Sequence, residues 1–374
     1  MTDAVQFQVL QRAAGSAARL GELWTRHGAI RTPVFMPVGT RGTVKSLTPE
    51  DLYALGAEII LANTYHLWLR PGAEVVKAQG GLHRFMHWER PLLTDSGGYQ
   101  VFSLAQSSQV SEEGVAFQSH LDGSRQFLTP EKAIEVQEAL GADIIMCLDE
   151  CIPYPATDEY TRQASERTVR WAGRCHEAKT RTDQALFAVV QGGTSSELRG
   201  LCADQLVELD FPGYAVGGLS VGEPREAMLA AAAAVLPRLP AERPCYVMGV
   251  GAPEDLVDLV GLGADMFDCV LPTRSARTGQ LFTRHGRIVI KNSRHQEEDA
   301  PIDEGCTCYT CRHYSRAYLR HLFLNKELLA YRLNTIHNLW YFLELMREMR
   351  RAIAAGTFGG FRGAFYRQRE HHPE

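Results

Sequence analysis

The chain has 374 residues, 45% of them hydrophobic and 22% charged, which is enough apolar sequence for a large core and unlike a disordered chain. No uninterrupted apolar window of about 18 or more residues occurs, and the N-terminus lacks a basic region followed by an apolar core. We therefore expect a soluble, cytoplasmic protein without an export signal or a membrane span.

The formal charge of -5 hides an uneven distribution along the chain. Residues 272–369 hold 17 Lys or Arg against 8 Asp or Glu, whereas the remainder holds 22 against 36. Within this part, residues 272–296 contain six cations and no acid. Such an excess suits a surface that binds a polyanion, although solvated basic faces are also common.

Eight short apolar runs, each ending in polar, Gly or Pro residues, recur along the chain. They predict strands at residues 34–38, 58–63, 91–95, 143–150, 186–193, 213–219, 244–251 and 264–272. Helical patterns with start signals such as Thr48-Pro49 and Thr129-Pro130 lie between most of them, and Gly56 and Gly141 suit helix ends. Eight βα units predict an α/β protein with a closed (β/α)8 TIM barrel. An open doubly wound sheet is the alternative, because periodicity does not distinguish the two.

In such a barrel the strand ends gather at one mouth, where this fold carries its chemistry. Polar residues follow several of the strands: Asn63, Asp95, Asp149, Glu150, Gln191 and Asp268. The glycine pairs Gly97-Gly98, Gly192-Gly193 and Gly217-Gly218 allow backbone to approach a ligand closely, and Tyr99 offers an aromatic face. No phosphate-binding glycine loop occurs, so a flat ligand such as a nucleobase fits better.

Two carboxylates near one sugar carbon are the arrangement for glycosidic-bond chemistry, one as nucleophile and the other as acid and base. Asp268 and Asp95 are the candidates. Asp149 could accept hydrogen bonds from N1–H and the 2-amino group of a guanine. Each acid alone could instead cap a helix, and Asp268 could form an ion pair with Arg274 or Arg277.

Six of the nine cysteines are scattered singly, as reduced thiols usually are, and three are clustered at Cys306, Cys308 and Cys311. A tetrahedral zinc site needs a fourth ligand. His313 is too close to Cys311, and spacing does not decide between His321 and His337. Four protein ligands leave no open position, which indicates a structural metal.

A last amphipathic helix is predicted at residues 336–355. Its apolar stripe comprises Leu339, Phe342, Leu343, Met346 and Met349. We expect Arg347, Arg350 and Arg351 to be exposed, where they could face RNA.

Seven motifs, taken in order, carry a resemblance to a known family. They are DSGGYQVFSL from Asp95, MCLDECIPYPA from Met146, VVQGG from Val189, AVGGLSVGE from Ala215, VMGVGAPED from Val247, FDCVLPTRSARTG from Phe267, and CxCxxC with a distant histidine. Over nearly its whole length the chain resembles the bacterial tRNA-guanine transglycosylases of the queuine tRNA-ribosyltransferase family. The resemblance implies a TIM barrel with a zinc-binding subdomain inserted near the C-terminus. It divides the chain into the barrel with its N-terminal extension (1–299), the zinc-binding subdomain (300–340) and a C-terminal helix and tail (341–374).

The activity that the resemblance implies is exchange of guanine at wobble position 34 of tRNAs with a GUN anticodon for 7-aminomethyl-7-deazaguanine (preQ1), in queuosine biosynthesis. By similarity, Asp268 is the nucleophile that attacks C1′ of the ribose, and Asp95 is the general acid and base. The implied base-binding residues are Ser96, Tyr99, Asp149, Gln191, Gly218 and Leu219. Asp149 and Gln191 would bind the pyrimidine edge of the base, the Gly218 N–H its carbonyl oxygen and the Leu219 carbonyl the aminomethyl group, while Tyr99 would stack on it.

Two segments resemble the tRNA-contacting parts of the family. They are Gly249, Val250, Gly251, Ala252, Pro253, Glu254 and Asp255, and Thr273, Arg274, Ser275, Ala276 and Arg277. By similarity, one structural zinc per chain is held by Cys306, Cys308, Cys311 and His337, and the protein is a homodimer.

Two positions bear on which base is used. Val221 follows the bacterial pattern, where the eukaryotic queuine-inserting enzyme has glycine, and this favours preQ1. Ser220 stands where many bacterial members have alanine. The alternative function is a non-catalytic tRNA-binding subunit, against which the presence of both Asp268 and Asp95 counts.

Overall fold

The structure, a computed structural model, describes residues 4–104 and 108–370. Its strands are β1 (Gln6–Arg12), β2 (Arg19–Thr25), β3 (Gly28–Thr32), β4 (Val34–Met36), β5 (Ile60–Ala62), β6 (Leu92–Thr94), β7 (Ser108–Val110), β8 (Val115–Gln118), β9 (Arg125–Leu128), β10 (Ile144–Met146), β11 (Ala185–Val190), β12 (Tyr214–Val216), β13 (Cys245–Val247), β14 (Met266–Asp268), β15 (Gln280–Thr283) and β16 (Gly286–Val289). Its α-helices are α1 (Pro49–Leu55), α2 (Thr64–Leu69), α3 (Ala73–Ala78), α4 (Gly81–Phe85), α5 (Gly98–Leu104), α6 (Pro130–Leu140), α7 (Asp158–Ala178), α8 (Ser196–Glu208), α9 (Arg225–Val235), α10 (Pro253–Gly261), α11 (Leu271–Thr278), α12 (Tyr309–His313), α13 (Arg316–Leu324), α14 (Leu328–Ala354) and α15 (Phe358–Glu370).

Eight parallel strands form a barrel in the order β4, β14, β13, β12, β11, β10, β6, β5. The two ends of this order meet, because Val38, just beyond β4, pairs in parallel with Leu61 of β5. The Leu61 N–H also donates to the Pro37 carbonyl at 3.0 Å. The closed barrel confirms the predicted fold and excludes the open sheet. All eight predicted strands are present, each shorter than predicted.

The eighth strand shows the largest difference from the predicted bounds. β14 stops at Asp268 and α11 begins at Leu271, so the prediction of strand structure up to residue 272 is wrong. Pro272 lies in the first turn of α11, where its missing N–H removes no helical hydrogen bond. The acid therefore sits at the point where the chain leaves the barrel.

Helix start and stop signals behave as the sequence predicts. Thr48 caps α1 with a full capping box, and Thr129 caps α6 by accepting from the Lys132 N–H. Gly56 and Gly141 end these helices with φ of 77° and 79°, in the left-handed region that favours glycine.

The N-terminal sheet, β1–β2–β3, covers the end of the barrel opposite the strand carboxyl ends. Its Leu23 and Ile30 share one core with barrel-interior residues such as Met146 and Phe187. Arg19 adds a buried ion pair to Asp265, with Nε to Oδ1 at 2.9 Å. This end is closed by packing, so a ligand must enter from the other mouth.

After α11 the chain forms the β15–β16 hairpin and the helices α12 and α13, which surround a small separate core. α14 then packs against α1, α10, α11 and β4, and takes the last place in the ring of helices. It begins earlier than the predicted helix and runs through residue 340 without interruption. The predicted domain limits at 299/300 and 340/341 stay predictions.

Of the three arginines of α14 that were predicted to be exposed, Arg351 is 62% exposed, whereas Arg347 and Arg350 are largely covered. Arg350 is only 11% exposed and donates to the carbonyls of Arg31 and Pro33 at 3.0 and 2.9 Å, so the prediction that it is exposed is wrong. The Arg347 guanidinium is likewise engaged by Glu344 and the Leu55 carbonyl. Long basic side chains on this helix bind the barrel because their stems pack on it while their heads reach its carbonyls.

A membrane-crossing helix would need a long apolar stretch, and none of the helices in the described part of the chain has one.

Candidate active site

A cavity of about 590 Å³ lies at the carboxyl ends of the barrel strands. The carboxylates of Asp95, Asp149 and Asp268 line it together, as the barrel interpretation predicts. Tyr99 stands at its rim, half exposed, and Val221 and Arg274 complete parts of the wall. The cavity is large enough for a purine base with its ribose.

Asp268 ends β14 with one carboxylate oxygen held and the other free. Its Oδ1 accepts hydrogen bonds from Tyr246 Oη at 2.6 Å and from the Gly249 N–H at 2.8 Å. No described residue donates to its Oδ2. Burial raises the pKa of Asp268, while the Tyr246 and Gly249 hydrogen bonds oppose that rise. None of the ion pairs within residues 4–104 and 108–370 includes Asp268, so the alternative of an ion pair at this strand end is wrong.

Asp95 follows β6 and is 7% exposed. Asn63 Nδ2 and Gln100 Nε2 donate to its Oδ2 at 2.5 and 2.9 Å, and the Thr64 N–H donates to its Oδ1 at 2.8 Å. Burial raises the pKa of Asp95 to about 6, against the effect of these three donors, and the Asp268 charge adds to the rise. A carboxyl that titrates near neutral pH is suited to proton transfer in both directions.

Asp149 and Gln191 form a pair beside the two catalytic candidates. Gln191 Nε2 donates to Asp149 Oδ2 at 2.6 Å, and Ser96 Oγ lies 3.4 Å from Asp149 Oδ1. Burial raises the pKa of Asp149. Gln191 is fully buried, and its Oε1 has no hydrogen-bond partner among the described residues. The neighbouring Glu150 points elsewhere, because it binds Arg167 and, at 2.7 Å, Tyr160 Oη.

The glycine pairs serve contacts inside the protein as well as the cavity. A Cβ at Gly192 would lie 2.6 Å from the Arg199 backbone nitrogen, and one at Gly218 would lie 2.3 Å from Gln191 Oε1. Gly217, Gly218 and Leu219 line the cavity, whereas the first turn of α8 fills the space beside Gly192. Gly97 and Gly218 thus border the cavity and Gly192 does not, while close approach of a ligand to the glycine pairs stays a prediction.

The two predicted RNA-contacting segments border the mouth but expose few side chains. In residues 273–277, Arg274 is exposed and Arg277 is partly buried, while Thr273, Ser275 and Ala276 are buried. Arg277 Nη1 finds no hydrogen-bond partner in the described ranges. In residues 249–255 the acids are engaged, since Glu254 binds Arg369 and Asp255 binds Arg225 at 2.6 Å. Arg274 and Arg277 are thus the side chains best placed to reach a polyanion.

A second cluster brings Cys306, Cys308, Cys311 and His337 together. His337 Nδ1 lies 3.8, 3.6 and 3.3 Å from the three Sγ atoms. Its Nε2 donates to the Phe282 carbonyl at 2.7 Å, which leaves Nδ1 free to bind a metal. Tetrahedral coordination with metal–sulfur and metal–nitrogen bonds of about 2.3 and 2.0 Å would separate these atoms by about 3.5 Å. The cluster could therefore hold a metal ion. His313 and His321 are exposed and outside it.

Known proteins are similar in sequence to this chain over nearly its whole length. The family model for queuine tRNA-ribosyltransferase matches residues 14–371. The chain belongs to this family. It is 60% identical to the queuine tRNA-ribosyltransferase of Syntrophobacter fumaroxidans over 366 residues, covering 98% of each chain. It is 56% identical to that of Pelotomaculum thermopropionicum, covering 98% of this chain and 99% of the relative, and 54% identical to that of Lysinibacillus sphaericus, covering 97% and 96%.

Sequence reasoning missed three residues that hold the two carboxylates of this family member. Tyr246 lies in β13 and reaches Asp268 on the neighbouring strand β14, and a lone tyrosine in an apolar strand gives no signal of that contact. Thr64 and Gln100 bind Asp95 from α2 and α5. Thr64 directly follows the polar strand-end residue Asn63, which is the one signal that could have found it.

Asp95 should make the stability of the fold depend on pH. Its pKa rises from the ordinary value of 3.8 to about 6 in the folded protein. Between these values the unfolded chain loses the proton while the folded chain keeps it, so the free energy of unfolding falls as pH rises, by on the order of 3 kcal/mol. Asp95→Asn removes this dependence. Urea unfolding from pH 4 to pH 7.5 should show the variant gaining stability relative to wild type by about that amount. A difference that is constant with pH would contradict the raised pKa.

Proposed function

We propose that this protein is a tRNA-guanine transglycosylase, a pentosyltransferase that replaces guanine at wobble position 34 of GUN-anticodon tRNAs with preQ1 in queuosine biosynthesis. The observation that carries the proposal is the pair of carboxylates, Asp268 and Asp95, at one base-sized cavity. One of them has a free oxygen, and the other titrates near neutral pH. Two acids with these different environments suit the two roles of glycosidic-bond exchange.

In the first half-reaction, Asp268 Oδ2 attacks C1′ of the ribose, and the electrons of the bond between C1′ and N9 pass to the departing guanine. Asp95 donates its proton to that base. The Tyr246 and Gly249 hydrogen bonds hold Oδ1, which keeps Oδ2 directed at the cavity.

In the second half-reaction, Asp95 accepts the N9 proton of the incoming base. N9 attacks C1′, and the ester bond to Asp268 breaks, so the carboxylate is regenerated. Two displacements at one carbon retain its configuration.

The base pocket supplies acceptors and donors that match a guanine. Asp149 and Gln191 bind the pyrimidine edge of the base. Asp149 accepts from N1–H and the 2-amino group, and Gln191 Nε2 also donates to Asp149. Gly218 N–H donates to the carbonyl oxygen of the base, and the Leu219 carbonyl accepts from the aminomethyl group of preQ1. Ser96 orients Asp149, and Tyr99 stacks on the base. A carboxylate buried without such donors would be costly, which supports this use of Asp149.

The tRNA binds across the mouth of the barrel through residues 249–255 and 273–277. The exposed Arg274 and the partly buried Arg277, with the net positive charge of residues 272–369, support this orientation.

The metal of the Cys306–Cys308–Cys311–His337 cluster is zinc, one per chain. Three thiolates and one imidazole are the ligands that zinc favours, and four protein ligands leave no position open for a substrate. The ion therefore stabilises the small core beside it.

We further propose that the protein acts as a homodimer in the cytoplasm. Tyr309 and Tyr318 are exposed, each beside Tyr314, and Leu329, which lines one cavity with Tyr309 and Tyr314, is 38% exposed. An exposed apolar surface of this kind marks a protein interface. Native mass spectrometry should give twice the chain mass of 41.6 kDa.

All nine cysteines are free, as expected in a reducing compartment.

The choice of base should depend on Val221. This side chain lines both the main cavity and an adjoining one of about 60 Å³ next to Tyr154, so its removal would join the two. Val221→Gly should lower the KM for queuine, which has a larger substituent, by about tenfold or more and change that for preQ1 little. The KM of Val221→Ala for queuine should lie between those of the wild type and Val221→Gly. Steady-state exchange with both bases checks this, and an unchanged ratio of the two KM values would contradict the role of Val221.

The activity itself is tested by incubating the protein with tRNA and radiolabelled guanine. We expect label to enter tRNAs with a GUN anticodon and unlabelled preQ1 to compete. A protein that binds tRNA but never incorporates label would instead be the non-catalytic subunit.

A further inference from the structure

Arg199, in the first turn of α8, is a fully buried cation whose hydrogen bonds all go to backbone carbonyls. Its Nε donates to Gly193 O at 2.8 Å, Nη1 to Val190 O at 3.2 Å and Gly217 O at 2.8 Å, and Nη2 to Gly218 O at 3.2 Å. Within the described ranges it has no carboxylate partner. Burying a charge without an opposite charge costs free energy, and here the four carbonyl dipoles offset part of that cost.

Two of these carbonyls belong to residues that line the base pocket, and the other two to the segment around Gln191, which binds Asp149 of that pocket. Val190 and Gly193 flank Gln191, the residue that binds Asp149, and Gly217 and Gly218 line the cavity wall. The helix is fixed relative to both, because Ser195 caps α8 and its first turn packs directly on Gly192. One guanidinium therefore holds both segments at a set distance from each other.

The contact with Gly217 has a direct electronic consequence. The Gly217 carbonyl and the Gly218 N–H belong to the same peptide group. A cation that donates to the carbonyl draws electrons toward oxygen and makes the N–H a stronger donor. Among the described residues none accepts a hydrogen bond from the Gly218 N–H, so it is available to a ligand. Burial lowers the pKa of Arg199 to about 10, which leaves the group charged at neutral pH.

We propose that Arg199 is a positioning residue that polarises the Gly217–Gly218 peptide group and so strengthens the hydrogen bond from the Gly218 N–H to the carbonyl oxygen of the purine. The inference rests on the proposed function, since it takes the base to be a guanine or a 7-deazaguanine. When the bond between C1′ and N9 breaks, the base receives its electron pair, and part of that charge reaches the carbonyl oxygen. A donor already polarised toward that oxygen stabilises the departing base.

The test compares guanine with 6-thioguanine, in which sulfur, a weaker acceptor, replaces the carbonyl oxygen while N1–H and the 2-amino group remain. Binding of tritiated guanine to the full chain is measured by equilibrium dialysis, and 6-thioguanine by competition. Arg199→Met should weaken guanine binding about tenfold, corresponding to about 1.4 kcal/mol, and weaken 6-thioguanine binding less than about threefold. Arg199→Lys, which keeps the charge, should retain most of the preference for guanine.

Arg19→Met is the matched control, because Arg19 is also buried and binds the carbonyls of Ala241 and Arg243, but at the closed end of the barrel. It should lower the melting temperature without changing the ratio of the two affinities. The proposal would be overturned if Arg199→Met weakened the binding of guanine and of 6-thioguanine equally, or changed neither affinity. If Arg199→Met does not fold, Arg199→Lys becomes the deciding variant. Loss of its preference for guanine over 6-thioguanine would then overturn the proposal. Exchange into tRNA, measured in parallel on wild type, reports separately on the proposed function.

Discussion

Replacing Asp268 by alanine or asparagine should abolish guanine exchange while tRNA binding is retained. Asparagine matches aspartate in shape, and its amide oxygen can accept both hydrogen bonds, from Tyr246 Oη and from the Gly249 N–H. Its amide cannot attack C1′, so no covalent intermediate forms. Removing a nucleophile of this kind lowers turnover by about 10⁴-fold or more.

The measurement has two parts. Incorporation of labelled guanine reports on exchange, and a denaturing gel shows whether a protein–tRNA adduct forms. Filter binding then checks that the variant still holds tRNA. Asp204→Asn is the matched control, since it removes an exposed carboxylate on α8 whose partner is Arg238. Exchange that survives in Asp268→Asn would eliminate Asp268 as the nucleophile, and loss of tRNA binding would show a wider disturbance.

Replacing His337 by alanine should remove the metal and destabilise the C-terminal part of the chain. His337 has two roles there: Nδ1 faces the three cysteines, and Nε2 holds the Phe282 carbonyl at 2.7 Å. A metal that binds only to the folded chain adds its binding free energy to the free energy of unfolding, so its loss should lower the latter by several kcal/mol. Cys311 packs against the small core that includes Leu319 and Leu333, so loss of the metal should loosen that core.

Metal content by elemental mass spectrometry should fall from about one ion per chain to none, as four-ligand coordination requires. Thermal unfolding should begin at a lower temperature in His337→Ala. His321→Ala is the control, because this histidine has the other suitable spacing but is exposed on α13. A metal retained by His337→Ala, or lost from His321→Ala, would contradict the assignment.

Much of the barrel could be predicted because its signals are local. Each strand is a short apolar run between helix signals, and Thr48, Thr129, Gly56 and Gly141 mark helix ends through contacts within a few residues. Strand bounds were less predictable. The apolar run after Asp268 continues into α11, and only the departure of the chain from the barrel determines where pairing stops.

The side chains around the carboxylates were less predictable still. Asp95 and Asp268 stand out as acids after apolar runs, but their partners Gln100 and Tyr246 come from other elements. Arg350 has the spacing of an exposed residue, and its burial follows from how α14 lies against β4. Arg199 has no distinguishing sequence context, although its guanidinium spans two strand ends.

By itself, then, the sequence determined the order of the eight barrel strands and of helices between most of them, the acids at the strand ends and the cysteine cluster, since each depends on nearby residues or on motifs. The sheets β1–β2–β3 and β7–β8–β9 were not predicted. Tertiary structure alone decided that the sheet closes between Val38 and Leu61. Spacing left His321 and His337 open as the fourth ligand, the family resemblance favoured His337, and the structure brings His337 to the cysteines. It also decided that Asp268, within residues 4–104 and 108–370, has one oxygen without a donor and forms no ion pair. These features depend on contacts between residues far apart in the chain, and burial there sets the pKa of each acid and the partner of each donor.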